Sequence, residues 1–329
     1  MRAVATGLQK AGAGEPQHLS KIARALGPRA LDAPDLVPPS DLDFASTPTE
    51  VLRAAISRST ARLFAHDPGV RLGGDAEDVH QARVATRRMR SDLRTFRRAL
   101  DPGWDESLRD ELKWLGSLLG VVRDTDVLLE RLEGRVAELP DADTAAGDRL
   151  LDVLRAERAT ARDELLAGMR SERYVAIVDR LLAASRAVPA STDGADFELE
   201  LGELVEKPWK KLRDAVHDLD DDPPDPELHA VRIRAKRARY AAEAVAPAVG
   251  KDAKRFASAV EGVQEVLGDH QDAVVAGQWL RDHVPADDSG AAFVAGQLVL
   301  VEAAAADASR DEWPSAWKVA KRSKLRRWM

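Results

Sequence analysis

The 329-residue chain has no cysteine. That excludes disulfides, thiolate metal sites and cysteine nucleophiles, and it suits a cytoplasmic compartment. Strand formers are scarce, while Ala, Leu, Arg, Asp and Glu are abundant, which is the composition of a helical protein. Aromatic residues are only 5% of the chain. Long apolar runs are missing too. The most apolar stretch, AAFVAGQLVLVEAAAA at 291–306, is broken by Gln297 and Glu302 and is too short to cross a bilayer. The N-terminus MRAVATGLQKAGAGEPQ has no apolar centre, so no signal peptide is expected and the chain reads as soluble and cytoplasmic. A Walker-type phosphate loop and a G-x-S-x-G elbow are both lacking, so neither an enzyme nor a cofactor is expected. Excess positive charge is lacking as well: the net charge is −7. The chain is not cationic all over.

Positive charge is instead concentrated in a pattern written twice. Residues 79–96 read VHQARVATRRMRSDLRTF and residues 228–245 read LHAVRIRAKRARYAAEAV. Aligned on their histidines, His80 meets His229 and Arg83 meets Arg232. Arg87, Arg88 and Arg90 then meet Lys236, Arg237 and Arg239. The 3-4-3 spacing puts the histidine and three cations on one helical face, and Arg94 extends the first stripe. Between His80 and Arg98 stand seven arginines and one acid, Asp92. From His229 to Arg239 stand five cations and no acid. Two local positive fields of this kind call for an anionic partner.

A second stripe runs one residue behind the first. Val79, Ala82, Thr86, Met89, Leu93, Phe96 and Leu100 form a buried seam in the first copy. Leu228, Val231, Ala235, Ala238, Ala242 and Val245 form it in the second. The cations therefore flank a core, with their stems on apolar surface and their heads gathered in a groove. Like charges at i,i+4 cost roughly 0.2–0.5 kcal/mol per pair, so the stripes do not serve stability. Further cations join the candidate site. Lys113 and Arg123 lie in line with Gly116 and Gly120, Arg158 and Arg162 follow Arg155, and Lys207, Lys210 and Lys211 precede the second histidine.

The pattern predicts helices over about 47–65, 76–100, 105–138, 144–170 and 172–187, then 198–219, 226–247, 251–283 and 289–310. Residues 1–45 read as a tail, and VPASTDGADF at 188–197 reads as a hinge between bundles at 46–188 and 197–325. The fold class expected is all-α, two tandem antiparallel bundles of about four helices related by an internal pseudo-twofold. Glu77-x-x-His80 has a di-iron spacing, but Pro226 stands where the second copy would need its glutamate, so no metal is expected.

The doubled H-x-x-R-[VI]-x-x-[RK]-R-x-R pattern, each followed by L-G-x-x-[RQ]-D (Leu119 to Asp124, Leu267 to Asp272), resembles the CHAD, or conserved histidine α-helical, domain family over about 47–325. The resemblance implies two four-helix bundles around a basic groove, inorganic polyphosphate as ligand, and no catalysis by the domain. It implies that His80, Arg83, Arg87, Arg88 and Arg90 line one half of the groove. His229, Arg232, Lys236, Arg237 and Arg239 would line the other. Lys113 aligns with Glu261 and Arg123 with Gln271, so unequal halves are expected. GLQKAGAGEPQHLSKIARAL near the N-terminus resembles the final segment of a CYTH triphosphatase domain, without the strands such an enzyme needs. Targeting to polyphosphate granules, storage, or positioning a phosphate-metabolising enzyme are the roles implied. The alternative is binding to nucleic-acid phosphates. The basic helices oppose it, offering only Phe96 and Tyr240 for stacking. The Trp-flanked basic tail, Trp313 to Arg327, is the segment that could still touch RNA or acidic membranes.

Overall fold

The computed structural model describes every residue except 1, 14–19, 40, 44, 193–199 and 285–286. Part of the CYTH-like segment and residues 193–197 of the expected hinge thus lie outside the described residues. Among those described, the chain is all-α, with one isolated bridge between Leu100 and Ala190. It forms two compact units, Met1–Asp35 and Leu36–Met329. The small unit holds α1 (Arg2–Lys10) and α2 (Lys21–Leu26).

The large unit opens with α3 (Pro48–Leu72). The Thr47 hydroxyl accepts from the Glu50 amide and the Glu50 carboxylate accepts from the Thr47 amide, a complete capping box. The helix does not break at Asp67-Pro68-Gly69 as the sequence suggested. Tyr174 and Arg71 both donate to Asp67 and Val70 is buried, so tertiary contacts carry the helix through Pro68. It stops at Gly73, whose φ of 76° is left-handed. There follow α4 (Ala76–Phe96), α5 (Pro102–Ala137), α6 (Asp141–Met169) and α7 (Glu172–Arg186). The second half contains α8 (Glu203–His217), α9 (Asp225–Val249), α10 (Lys251–Asp282) and α11 (Ser289–Ala320).

Helix α11 runs past the expected end near 310, through Pro314 to Ala320. This corrects the reading of the C-terminal tail. Trp313 and Trp317 are buried, and Trp317 stacks on Trp209 with ring centroids 5.4 Å apart. Trp328 meets Phe256 edge-on. These indoles belong to the core, while Lys318, Lys321, Arg322, Lys324 and Arg327 stay exposed. At its full length α11 is long and apolar enough to cross a bilayer, although 291–306 alone is not. In this fold its Val294, Leu298 and Glu302 face is buried.

Every position of both predicted seams is buried, from Val79 to Leu100 and from Leu228 to Val245. The seams join Leu108, Leu112, Leu115, Leu119 and Val122 of α5 in one large core. Helices α4 and α9 pack directly on each other, so this core spans both halves. A second, separate core forms where the far ends of the long helices meet. Leu128, Leu132, Leu150 and Leu154 from the first half pack there with Trp279, Leu280, Val294 and Leu298 from the second. The halves thus touch at two places, and the candidate site lies between them.

Candidate functional site

A cavity of about 480 Å³ opens between the α4–α9 crossing and the second core. Helix α4 contributes His80, Arg83 and Arg87, and α9 contributes His229, Arg232 and Lys236. Helix α5 adds Arg123 and Arg131 and α10 adds Gln271. The carboxylates in the lining are Asp124 and Asp272. No Phe, Tyr or Trp side chain lines it among the described residues. Both copies of the histidine motif therefore converge on one space. Each copy supplies its first three basic positions, because residues at i, i+3 and i+7 share a helical face.

Two glycines make that convergence possible. The Arg83 guanidinium crosses α5 over Gly120 and donates to Asp124 at 3.0 Å. A Cβ at Gly120 would stand 2.1 Å from Arg83 Nη1. At the corresponding place Gly268 faces the Arg232 guanidinium, with 3.4 Å between a Cβ and Nη2. Arg232 reaches Asp272 only at 4.0 Å, and its buried Nε has no hydrogen-bond partner among the described residues. The first half closes its arginine–aspartate pair and the second leaves it loose. Gly120→Ala should therefore push the Arg83 guanidinium off Asp124, since the tip of a flexible side chain yields more easily than a helix. The expected result is an Arg83 side chain released from Asp124, with Tm unchanged or raised, because Ala is favoured over Gly in a helix by roughly 0.8–1.0 kcal/mol. Thermal melts check the sign of the Tm change.

Crowding of like charge shows in the titration of the lining. Burial, then Arg232, Arg87 and Arg83, lower the Lys236 ammonium to about 8. Burial and Arg123 lower His80 below its ordinary value. Burial lowers His229, with Lys236 and Arg232 adding to the effect against a hydrogen bond that the ring donates to Gln271. Burial also raises Asp272 despite its neighbour Arg232. All four shifts disfavour charge in the free protein, and for the three cationic groups an anion would reverse them.

The remaining predicted residues go to other places. Arg94, Lys207, Lys211 and Arg237 line a separate cavity of about 400 Å³ beside the crossing. Arg88 turns into a third cavity and pairs with Glu243. Arg239 pairs with Glu243 at 2.7 Å and also with Glu261, so these two arginines are already engaged. Arg158 is held by the buried Asp126, and Arg162 donates to the Val70 carbonyl at 3.0 Å. Arg90 is half-buried near Arg109 and Asp110. Lys113 and Lys210 are exposed and line none of these three cavities. The stripe rule treated all cations on one face alike, whereas acids arriving from other helices neutralise some of them.

Two features escaped the sequence. Arg131 lines the central cavity, with its Nε donating at 2.6 Å to the fully buried Glu302 of α11. Tyr240 lies under three guanidiniums, those of Arg87, Arg88 and Arg239 at 5.5, 4.9 and 5.7 Å from its ring centroid. Such contacts gather cations at the crossing. Tyr240 lies 149 residues after Ser91, the same step that separates the two histidines, but nothing in the local pattern marks it as a platform.

Comparison with known proteins gives one consistent answer. The sequence model of the CHAD domain matches residues 54–281. Two uncharacterized proteins of Mycobacterium tuberculosis, MT2285 of strain CDC 1551 and Rv2226 of strain H37Rv, are each 33% identical over 324 residues. The match takes in 95% of this chain but 60% of theirs, so the chain spans under two thirds of the length of these relatives. Among solved structures, PptA from Streptomyces chartreusis superposes with a TM-score of 0.70 at 25% identity, covering 83% of this chain and 100% of that one. The CHAD domain from the plant Ricinus communis superposes with a TM-score of 0.67 at 24% identity, covering 88% and 96%. The latter likeness is one of fold.

Proposed function

The chain belongs to the CHAD domain family, and from that premise we propose that its central cavity binds inorganic polyphosphate. The observation that carries this reading is the convergence of Arg83, Arg87, Arg123, Arg131, Arg232 and Lys236 on one space with two carboxylates against them. A linear polyanion supplies the missing counter-charge along its length, and arginine forks match its oxygens. The lining positions of each helix, His80 to Arg87 and His229 to Lys236, extend about 10 Å at ~1.5 Å per residue, enough to engage more than one phosphate. Nucleic acid is the weaker reading. Phe96 is fully buried and Tyr240 is covered by arginines, which leaves bases nothing to stack on.

The site is read as one that holds its ligand without cleaving it. Asp124 and Asp272 face the arginines that the ligand would share. A cytoplasmic role at polyphosphate granules, or beside a phosphate-metabolising or CYTH-type partner, fits such a holding function. The testing experiment is a calorimetric titration with long-chain polyphosphate, run beside single-stranded DNA and orthophosphate at physiological salt, with phosphate release measured on the same samples. Tight binding to polyphosphate alone, without release, is expected. Equal binding to DNA would make the cavity a general phosphate clamp.

The pH dependence of that titration has a definite sign. In the free protein Lys236 has lost about half of its protonation near pH 8, and a bound anion restores the proton. The Lys236 contribution to affinity should therefore be full well below pH 8 and be lost as the pH rises through 8 towards 10, while His80 and His229 add affinity as the pH falls further. Lys236→Arg should flatten the profile across that window. Affinity should also fall steeply with salt, since binding releases counterions.

A further inference from the structure

Two cavities flank the α4–α9 crossing, and their linings correspond residue by residue. Arg58, Arg62 and Arg88 line the smaller, of about 290 Å³. The residues 149 positions later, Lys207, Lys211 and Arg237, line the larger, of about 400 Å³. The correspondence also runs the other way: Glu243 of the smaller cavity stands 149 positions after Arg94 of the larger. The sequence step is the same one that separates the two histidines.

The charges do not correspond. In the smaller cavity Glu243 pairs with Arg88, and Asp92 is buried between Arg58 and Arg88. That lining sets two acids against Arg58, Arg62, Arg88 and Lys254. In the larger one Arg94 replaces Glu243, and the equivalent of Asp92 is Ala241. Among the described residues Arg94, Lys207, Lys211 and Arg237 make no ion pair, and the only acid in the lining is Glu203. Burial and the neighbours Arg237 and Arg90 weaken the hold of Arg94 on its proton, which is the signature of positive charge gathered without an answer. An anion of matching charge density would relieve it.

We propose that this larger flanking cavity is a second anion site, which takes clustered phosphates, either a free oligophosphate or the end of a longer chain. Its placement rests partly on the polyphosphate reading of the central cavity, because the α4 stripe Arg83, Arg87, Arg90, Arg94 runs from one cavity to the other. The smaller cavity, carrying Asp92 and Glu243, has no such role. The chain therefore binds its polyanion on one flank only.

Titration of the full chain with tripolyphosphate, and separately with long-chain polyphosphate, tests this. Wild type should take up two equivalents of tripolyphosphate. Lys207→Glu/Arg237→Glu should take up one, and so should the central variant Arg83→Glu/Arg232→Glu, each with the remaining Kd within about threefold of wild type. If the flanking site receives the end of a long chain, the flanking variant also weakens long-chain binding about tenfold or more. If it receives free oligophosphate, only the tripolyphosphate stoichiometry changes. The milder Lys207→Gln/Arg237→Gln should lose about tenfold at the same site with unchanged circular dichroism, which guards against misfolding. Two equivalents retained by a folded flanking variant, or a single equivalent in wild type, would overturn the second site while leaving the central reading intact. Two equivalents retained by the central variant would overturn the central reading instead.

Discussion

Replacing Arg83 and Arg232 together by glutamate is expected to remove polyphosphate binding at the central cavity and to leave the helical content unchanged. The two residues face the central cavity from opposite halves, and each has a glycine of the neighbouring long helix beneath its guanidinium. A hydrogen bond to a charged group is worth about 1.5–3 kcal/mol. Losing one from each half, and adding two negative charges to a cavity that already holds Asp124 and Asp272, lowers affinity by at least about 100-fold. The fold tolerates the change because neither side chain belongs to the apolar seam. Both lie one position ahead of it, next to Ala82 and Val231, which stay buried. The measurement is a polyphosphate titration beside far-ultraviolet circular dichroism. Affinity retained within tenfold when the change is made on a folded chain already carrying Lys207→Glu/Arg237→Glu would sink the central site.

The second large effect concerns stability. Glu302 is fully buried and receives Arg131 at 2.6 Å and Arg135 at 3.0 Å. It belongs to α11 of the second half, whereas both arginines belong to α5 of the first, so the cluster pins the halves together beside the second core. Glu302→Ala removes the shared acceptor and leaves two guanidiniums facing a small void. Both arginine side chains keep some access to solvent, at 21% and 28% exposure. That places the loss near the lower end for a broken buried pair, roughly 3 kcal/mol. A fall in Tm of roughly 6–12 °C follows for a domain of this size. Glu302→Gln, which keeps an acceptor oxygen, should lose less than half of that. Equal melting temperatures for wild type and Glu302→Ala would show that the second core, not the ion cluster, joins the halves. Because Arg131 also lines the central cavity, the same variant should alter polyphosphate affinity, while Arg155, far along α6 and paired with Glu133 and Asp152, serves as a neutral control.

Local rules carried a long way in this chain. The 3-4 periodicity of Val79 to Leu100 and of Leu228 to Val245 identified both seams, because a residue's helical face follows from its number alone. Thr47 and Glu50 marked a helix start for the same reason, since a capping box involves only neighbours. Prolines misled. Pro68, Pro247 and Pro314 all lie inside helices, and at Pro68 the contacts of Asp67 with Tyr174 and Arg71 carry the helix through. The tryptophans of the tail misled likewise: an indole beside lysines looks like a surface anchor until Trp209 and Phe256 are found against it.

By itself, then, the sequence determined the helical class, the buried seams, the two histidine-anchored cation stripes and the family they resemble. Each of these is a property of residues a few positions apart, repeated in register. Only the tertiary structure decided which cations are free. Arg239 sits on the same stripe as Lys236 and Arg88 adjoins Arg87, yet Glu243 and Glu261 neutralise them from other turns and another helix. Among the described residues Arg94 and Arg237 escape, because no acid pairs with them. Whether a charge is answered depends on what distant segments bring within about 4 Å, and helical periodicity holds no information about that distance.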